Sequence, residues 1–378
     1  MASPRELLDR LAARDATSYP FLSLYLDARP GPQGRDEFDR FVRRALKARA
    51  HAFEVRSPDR ESYDLDAARI ERYLENEVRP RANGIALFAC AAQGVFDATQ
   101  LDVAFPSHML VVGSVPHVLP LACVLDEHPS HAAVVADTHQ ARLYVFSLGT
   151  SVRHEAVESP KVPRPAMGGW SQIRYQRHAD HSHLLHAKAV VDALDQIVRD
   201  EGVRHLALAG DEVILPLLQD QLPARLRERV IATLHIDMRA TDHDVMHEAE
   251  RAFADYRVRR DRQRATTLTD RALARDQAVL GIEPVFEALE RGQVHELVIS
   301  ASGQAFASHV PVPLVPVCQR TTVDLPVDGS PDTRVTAVVG NELVVRARRT
   351  GAAVTCVGDP VLLAHVGHVG AHLRFSTA

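Results

Sequence analysis

The chain has no run approaching the roughly 20 consecutive apolar residues that a membrane-spanning helix needs. Its opening, Met1-Ala2-Ser3-Pro4-Arg5-Glu6, also lacks the apolar stretch of a secretory signal. The expectation is a cytoplasmic protein with no membrane partner. Cysteine is scarce: Cys90, Cys123, Cys318 and Cys356 lie far apart among apolar neighbours, with no Cys-x-x-Cys. That distribution predicts reduced, buried thiols rather than a zinc site or a disulfide framework. There is no Gly-x-x-x-x-Gly-Lys-Ser/Thr phosphate loop, no Gly-x-Ser-x-Gly elbow and no His-Glu-x-x-His. Those absences remove the motif-based cases for an NTPase, a serine hydrolase or a zincin. Tryptophan occurs once, as Trp170.

What is present is enough for a large core. With 378 residues, 46% of them hydrophobic, length alone favours two or three domains. The net charge of -5 argues against indiscriminate coating of DNA or RNA. Cations are nevertheless concentrated in two places. Lys161, Arg164, Arg174, Arg177 and Lys188 face the single acid Asp180 within residues 161–188, and Arg251, Arg257, Arg259, Arg260, Arg262 and Arg264 follow later. Such concentrations on an acidic chain imply a polyanionic partner docked in one orientation; for the second cluster a solvated helix face is the alternative.

Periodicity predicts the elements. Ser3, Pro4 and Glu6 form a helix-start signal, residues 21–26 a strand, and Phe38, Phe41, Val42 and Leu46 a helix. A helix over 63–78 precedes strands at 84–89, 109–112 and 119–125, and a polar hinge follows near 126–129. Strands at 131–137, 141–146 and 152–157 lead to a Gly-Gly loop, after which Leu184, Ala187, Val191, Leu194 and Val198 share a helix face and 203–210 is a strand. Helical spacing over 245–264 makes a connector. Beyond it, Val279, Ile282, Val285, Phe286 and Leu289 predict a helix, 294–299 a strand, and a proline-rich loop leads to a strand at 352–357. Asp359 and Pro360 open a short helix before a terminal strand at 367–375. The alternation predicts an α/β protein of three domains, 1–128, 129–265 and 266–378, each a mixed sheet with helices.

Gly168-Gly169-Trp170-Ser171-Gln172 is the segment richest in chemistry. Adjacent glycines let a backbone approach a ligand closely, and a glutamine amide both donates and accepts without titrating. Gln172 is therefore suited to orienting water at an ester, and unsuited to acting as a general base. A Gly-rich surface loop ahead of a helix is the plainer alternative, and Trp170 serves either to pack that loop or to stack on a base. His178, His181, His183 and His186 offer at most paired ligands at helical spacing, and Asp242, His243, Asp244 and His247 follow Thr241 as a helix start would. Neither group has a familiar zinc spacing, so no metal and no cofactor is expected.

The run from Gly168 to His178 resembles the Gly-Gly-Gln region of the archaeo-eukaryotic class 1 release factor superfamily, which includes Pelota and the VMS-type peptidyl-tRNA hydrolases. Asn83-Gly84-Ile85-Ala86-Leu87-Phe88 resembles the end of that superfamily's first domain, and Ala132 to Tyr144 the opening of its second. Ala278 to Ile282, Gly292 to Val298 and Gly367 to Phe375 are similar to its third. The order and spacing match its bacterial branch best.

The resemblance implies an RNase H-like central domain and a C-terminal domain like the kink-turn-binding ribosomal proteins. It implies action on ribosomes, at the ester between nascent peptide and tRNA, with rRNA and peptidyl-tRNA rather than DNA as partners. It also allows a translational GTPase to contact the third domain. Gln172 with Gly168 and Gly169 would be catalytic; Lys161, Arg164, Trp170, Ser171, Arg174, Arg177 and His178 would meet RNA. Two departures stand out. Trp170 and Ser171 interrupt the superfamily's Gly-Gly-Gln tripeptide, and the first domain lacks the Asn-Ile-Lys-Ser stop-codon motif. The second points away from codon-specific termination and towards stalled, split or idle ribosomes. A hibernation or rescue factor that fills the tRNA site without hydrolysis is the rival expectation, and a metal-dependent hydrolase outside translation the third.

Overall fold

The computed structural model describes residues 3–30, 36–147, 150–158, 171–236, 239–301, 321–324 and 331–375. The chain forms two compact units, one of Met1–Glu127 with Asp261–Ala378 and one of His128–Arg260.

The first unit opens with α1 (Pro4–Ala12), held by the expected capping box: Ser3 Oγ accepts from the Glu6 N–H at 3.2 Å, and the Glu6 carboxylate accepts from the Ser3 N–H at 2.8 Å. There follow β1 (Phe21–Asp27), α2 (Asp36–Ala50), α3 (Pro58–Asn76), β2 (Gly84–Cys90), β3 (Val95–Leu101), β4 (Met109–Gly113) and α4 (Leu119–Glu127). Leu22, Leu24 and Leu26, two residues apart on β1, pack in one core with Phe41 and Leu46 of α2 and Ile70 of α3. Residues 119–125, expected as a strand, are the helix α4. Leu119, Leu121, Ala122, Cys123, Val124 and Leu125 are all buried there, and a helix apolar on every side has no periodicity to separate it from a buried strand. Pro120 sits in the first turn, where its missing N–H leaves no bond unmade.

The second unit holds β5 (His131–Ala136), β6 (Gln140–Ser147), β7 (Thr150–Glu158), α5 (Ser171–Asp200), β8 (His205–Gly210), α6 (Ile214–Gln221), α7 (Ala224–Arg227), β9 (Val230–Leu234) and the first part of α8 (Asp242–Leu273). Its sheet runs β7-β6-β5-β8-β9; the pairs among β5, β6 and β7 are antiparallel, and β5-β8 and β8-β9 are parallel. Alternation sorts the two faces. Val134, Leu206 and Leu208 pack with Ala187, Val191 and Leu194 of α5, whereas Ala133, Val135 and Tyr144 pack with Val245, Ala249 and Phe253 of α8.

The chain then re-enters the first unit through β10 (Ala278–Leu280), α9 (Ile282–Glu290), β11 (Val294–Ser300), β12 (Thr322–Asp324), α10 (Pro331–Arg349), β13 (Ala353–Val357), α11 (Val361–Ala364) and β14 (Val369–Leu373). Val279, expected on the helix, lies instead on β10. The helix begins after Gly281, whose φ of 86° is open to glycine and strained for other residues. The third sheet is β10-β14-β11-β13, with β11-β13 parallel and its other pairs antiparallel. β12 leaves it and pairs antiparallel with β4, giving the first sheet the order β12-β4-β1-β2-β3. Arg49 of α2 clamps that edge strand, bonding Asp324 at 2.7 and 3.1 Å.

Among the features not anticipated are α10 and a disulfide. α10 is rich in valine, which favours strands locally; burial of Val338, Val339, Leu343, Val344 and Val345 overrides that preference. Cys123 of α4 and Cys356 of β13 form a disulfide across 233 residues, with Cα atoms 5.2 Å apart, so the expectation of reduced thiols fails at this pair. Sequence spacing hid a pairing that the tertiary fold creates. Cys90 is a free, buried thiol, and Cys318 lies outside the described residues. The architecture is the expected mixed α/β fold with three sheets. Among the described residues no helix is long and apolar enough to cross a membrane.

Candidate functional site

α5 sets the geometry of the segment singled out by sequence. Lys161, Arg164, Gly168, Gly169 and Trp170 lie outside the described residues, whereas Ser171, Gln172, Arg174, Arg177 and His178 occupy the first turns of a 30-residue helix. Gln172 is therefore the helix's second residue. At 3.6 residues per turn, Gln172 holds the angular position of Val190, about five turns further on. Val190 is fully buried, in the stripe formed with Ala187, Leu194 and Ile197. By the same spacing Arg174 and His178 stand in register with Asp192 and Gln196, which are exposed. The helix thus aligns Gln172 with Val190, Arg174 with Asp192 and His178 with Gln196.

Further along α5, His186 packs against the turn between β5 and β6. Asp137 Oδ1 shapes that turn by accepting from the N–H groups of His139 at 2.7 Å and Gln140 at 2.8 Å. The rings of His139 and His183 meet edge to face with centroids 6.3 Å apart. Burial holds the His186 imidazole below its usual pKa, against the opposing pull of the Gln140 carbonyl and Asp137. Among the described residues no group of three or more His, Cys, Asp or Glu is placed to hold a metal ion.

The acidic group at the start of α8 has a structural explanation. Thr241 Oγ1 accepts from the Asp244 N–H at 3.2 Å and the Asp244 carboxylate accepts from the Thr241 N–H at 3.1 Å, a reciprocal cap. Asp242 accepts from the Arg142 guanidinium at 3.0 Å and the Tyr144 hydroxyl at 2.7 Å, tying α8 to β6. Sequence reasoning missed this link because Arg142 and Tyr144 lie about a hundred residues upstream.

The second arginine cluster is divided by the fold. Arg251 pairs with Glu248 at 2.9 Å, and Arg264 reaches Glu296 of β11 at 2.9 Å. Arg257 and Arg260 face a ring cluster in which His131 stacks on Phe253 at 4.1 Å and lies 3.4 Å from His205, nitrogen to nitrogen. Burial, aided by these cations and His205, pushes His131 down to about 3; burial and then Arg257 push His128 to about 4.

Residues 116–254, which contain the whole Gly168–His178 stretch and α5, match the family model described as bacterial archaeo-eukaryotic release factor family 10. Over this segment the chain is similar to the bacterial branch of the archaeo-eukaryotic release factors. No curated protein matches it in sequence. Solved structures similar to it include the archaeal translation termination factor aRF1, 17% identical over 99% of both chains with a TM-score of 0.28. Dom34 of S. cerevisiae is 9% identical over 78% of this chain and 80% of its own, with a TM-score of 0.45. A ribosome-bound archaeal Pelota, in a structure that also holds ABCE1, is 12% identical over 100% of this chain and 95% of its own, with a TM-score of 0.43.

Proposed function

We propose that this protein is a ribosome-associated peptidyl-tRNA hydrolase of the cytoplasm, acting on stalled or idle ribosomes. The observation that carries the reading is the family match over 116–254, because it spans the glycine pair, Gln172 and the cationic first turns of α5. Gly168 and Gly169 bring the backbone to the peptidyl ester; Gln172 orients the attacking water, and its amide leaves the proton to another group. The N-terminus of a 30-residue helix adds partial positive charge where an ester oxygen becomes negative. Lys161, Arg164, Arg174 and Arg177 bind RNA phosphates, with Trp170, Ser171 and His178 beside them.

The sheet order β7-β6-β5-β8-β9, three antiparallel strands followed by two parallel ones, supports an RNase H-like central domain. The three-way division at 1–128, 129–265 and 266–378 is retained for function, with a translational GTPase at the third domain.

A second reading is favoured by one observation. Trp170 and Ser171 separate the glycine pair from Gln172, a departure from the uninterrupted Gly-Gly-Gln tripeptide. On that reading the protein fills the tRNA site of an idle or stalled ribosome and hydrolyses nothing. Incubation with purified ribosomes carrying peptidyl-tRNA separates the two: binding with peptide release supports the hydrolase, and tight binding without release supports the plug.

A further inference from the structure

At the far end of α5 from Gln172, the second unit has a cleft of about 640 Å³ lined by charge of one dominant sign. Arg199 comes from the last turn of α5, Arg204 from the residue before β8, His205 from the start of β8, Arg225 from α7, and Arg229 from the turn before β9. Among the described residues, Asp195 is the only acid lining it. That carboxylate is shared by two guanidiniums, Arg225 at 2.6 Å and Arg199 at 3.3 Å, and so neutralises at most one of four. Arg229 is anchored by its bond to the Val203 carbonyl. Arg204 is exposed.

Guanidinium groups spread over four segments present forks to several anionic groups at once, which a chain of phosphates offers and a single small anion does not. Among the described residues no Phe, Tyr or Trp lines the cleft, and its spread of guanidinium groups is fitted to a phosphate backbone. Asp195 lies about 35 Å from Gln172 along the helix axis, at 1.5 Å per residue. One RNA helix covers that distance, given that single small domains span about 16 base pairs of double-stranded RNA.

We infer that this arginine cleft takes the phosphodiester backbone of an RNA helix, as a second anchor on the domain whose tip carries Gln172. The inference rests on the ribosomal reading for its RNA partner, but its test needs no ribosome and no hydrolysis. The full chain is titrated with a fluorescent RNA duplex across a range of salt concentrations. Arg204→Glu should weaken binding and lower the slope of log K against log[salt] by about 1 to 2. Asp195→Asn should strengthen binding, because it releases the charge of Arg199 and Arg225 without removing an acceptor. Opposite signs from two neighbouring substitutions are not what general damage to the fold produces.

Unchanged affinity and slope in both variants would overturn the inference. So would thermal stabilisation by inorganic phosphate that exceeds stabilisation by the duplex and disappears in Arg204→Glu, since that would mark a small-anion site. Loss of ribosome binding or peptide release elsewhere in the protein leaves this measurement unaffected.

Discussion

Asn341 of α10 holds the N-terminus of α4, because its Oδ1 accepts from the backbone N–H of Val118 at 2.6 Å. The same oxygen accepts from the Leu119 N–H at 3.2 Å, and its Nδ2 donates to the Pro116 carbonyl at 3.1 Å. A side chain more than two hundred residues downstream thus satisfies helix-end donors that no local residue caps. Asn341 is 4% exposed, so water cannot replace it. Each buried group orphaned by Asn341→Ala should cost about 1–3 kcal/mol. The expected result is a lower midpoint in urea unfolding; an unchanged midpoint would show that α4 is held by its apolar packing alone.

Acid should destabilise the protein through histidines that fold neutral. Burial pushes His117 down to about 3 from an ordinary 6.5, and its Nε2 has no hydrogen-bond partner among the described residues. His128 and His131 are depressed to about 4 and about 3. In that window the unfolded chain binds more protons than the folded one, so stability falls as pH drops from about 6.5 towards 3. Asp66 acts in the opposite direction between about 6 and 3.8, since burial raises it to about 6. Three groups against one leave a net loss on acidification. His117→Leu should flatten the dependence of thermal midpoint on pH below 6.5; an unchanged slope would mean that His117 is not buried neutral.

The interior of each sheet was legible in sequence because its strands alternate or carry long apolar runs: residues 21–26, 84–89 and 131–136 fell where expected. α4 and α10 were not, since their valines, leucines and alanines are buried by partners from distant parts of the chain. Cys123 and Cys356 are brought together by the same packing. At the candidate site, the composition of 168–178 was informative, but the register that aligns Gln172 with Val190 follows from where α5 begins, and no spacing in the segment itself marks Ser171 as that point. The arginine cleft was invisible for a different reason. Arg199, Arg204, Arg225 and Arg229 are interspersed with acids in sequence, and only the fold gathers the cations on one wall.

Ribosome association should weaken steeply with salt as arginines displace counterions from RNA. Arg174→Glu combined with Arg177→Glu should reduce co-sedimentation with ribosomes at moderate ionic strength. Both residues lie in the first turns of α5. Undiminished co-sedimentation would make this stretch a solvated helix face with no part in docking.

Tethering of α8 should depend on Asp242. Asp242→Ala removes one acceptor from Arg142, which keeps the Ala240 carbonyl at 3.0 Å, and one from the fully buried Tyr144. Faster hydrogen exchange in β6 and the first turns of α8 is expected. Exchange unchanged from the parent protein would assign the attachment of α8 to Val245, Ala249 and Phe253 instead.

The most direct measurement compares the parent protein with Gln172→Ala on ribosomes loaded with labelled peptidyl-tRNA, scoring bound protein and released peptide in the same sample. If Gln172 orients the hydrolytic water, the variant binds as the parent does and releases peptide about two to three orders of magnitude more slowly, the usual consequence of losing one transition-state hydrogen bond. Full release by Gln172→Ala, or tight binding by the parent protein with no release at all, would contradict the account.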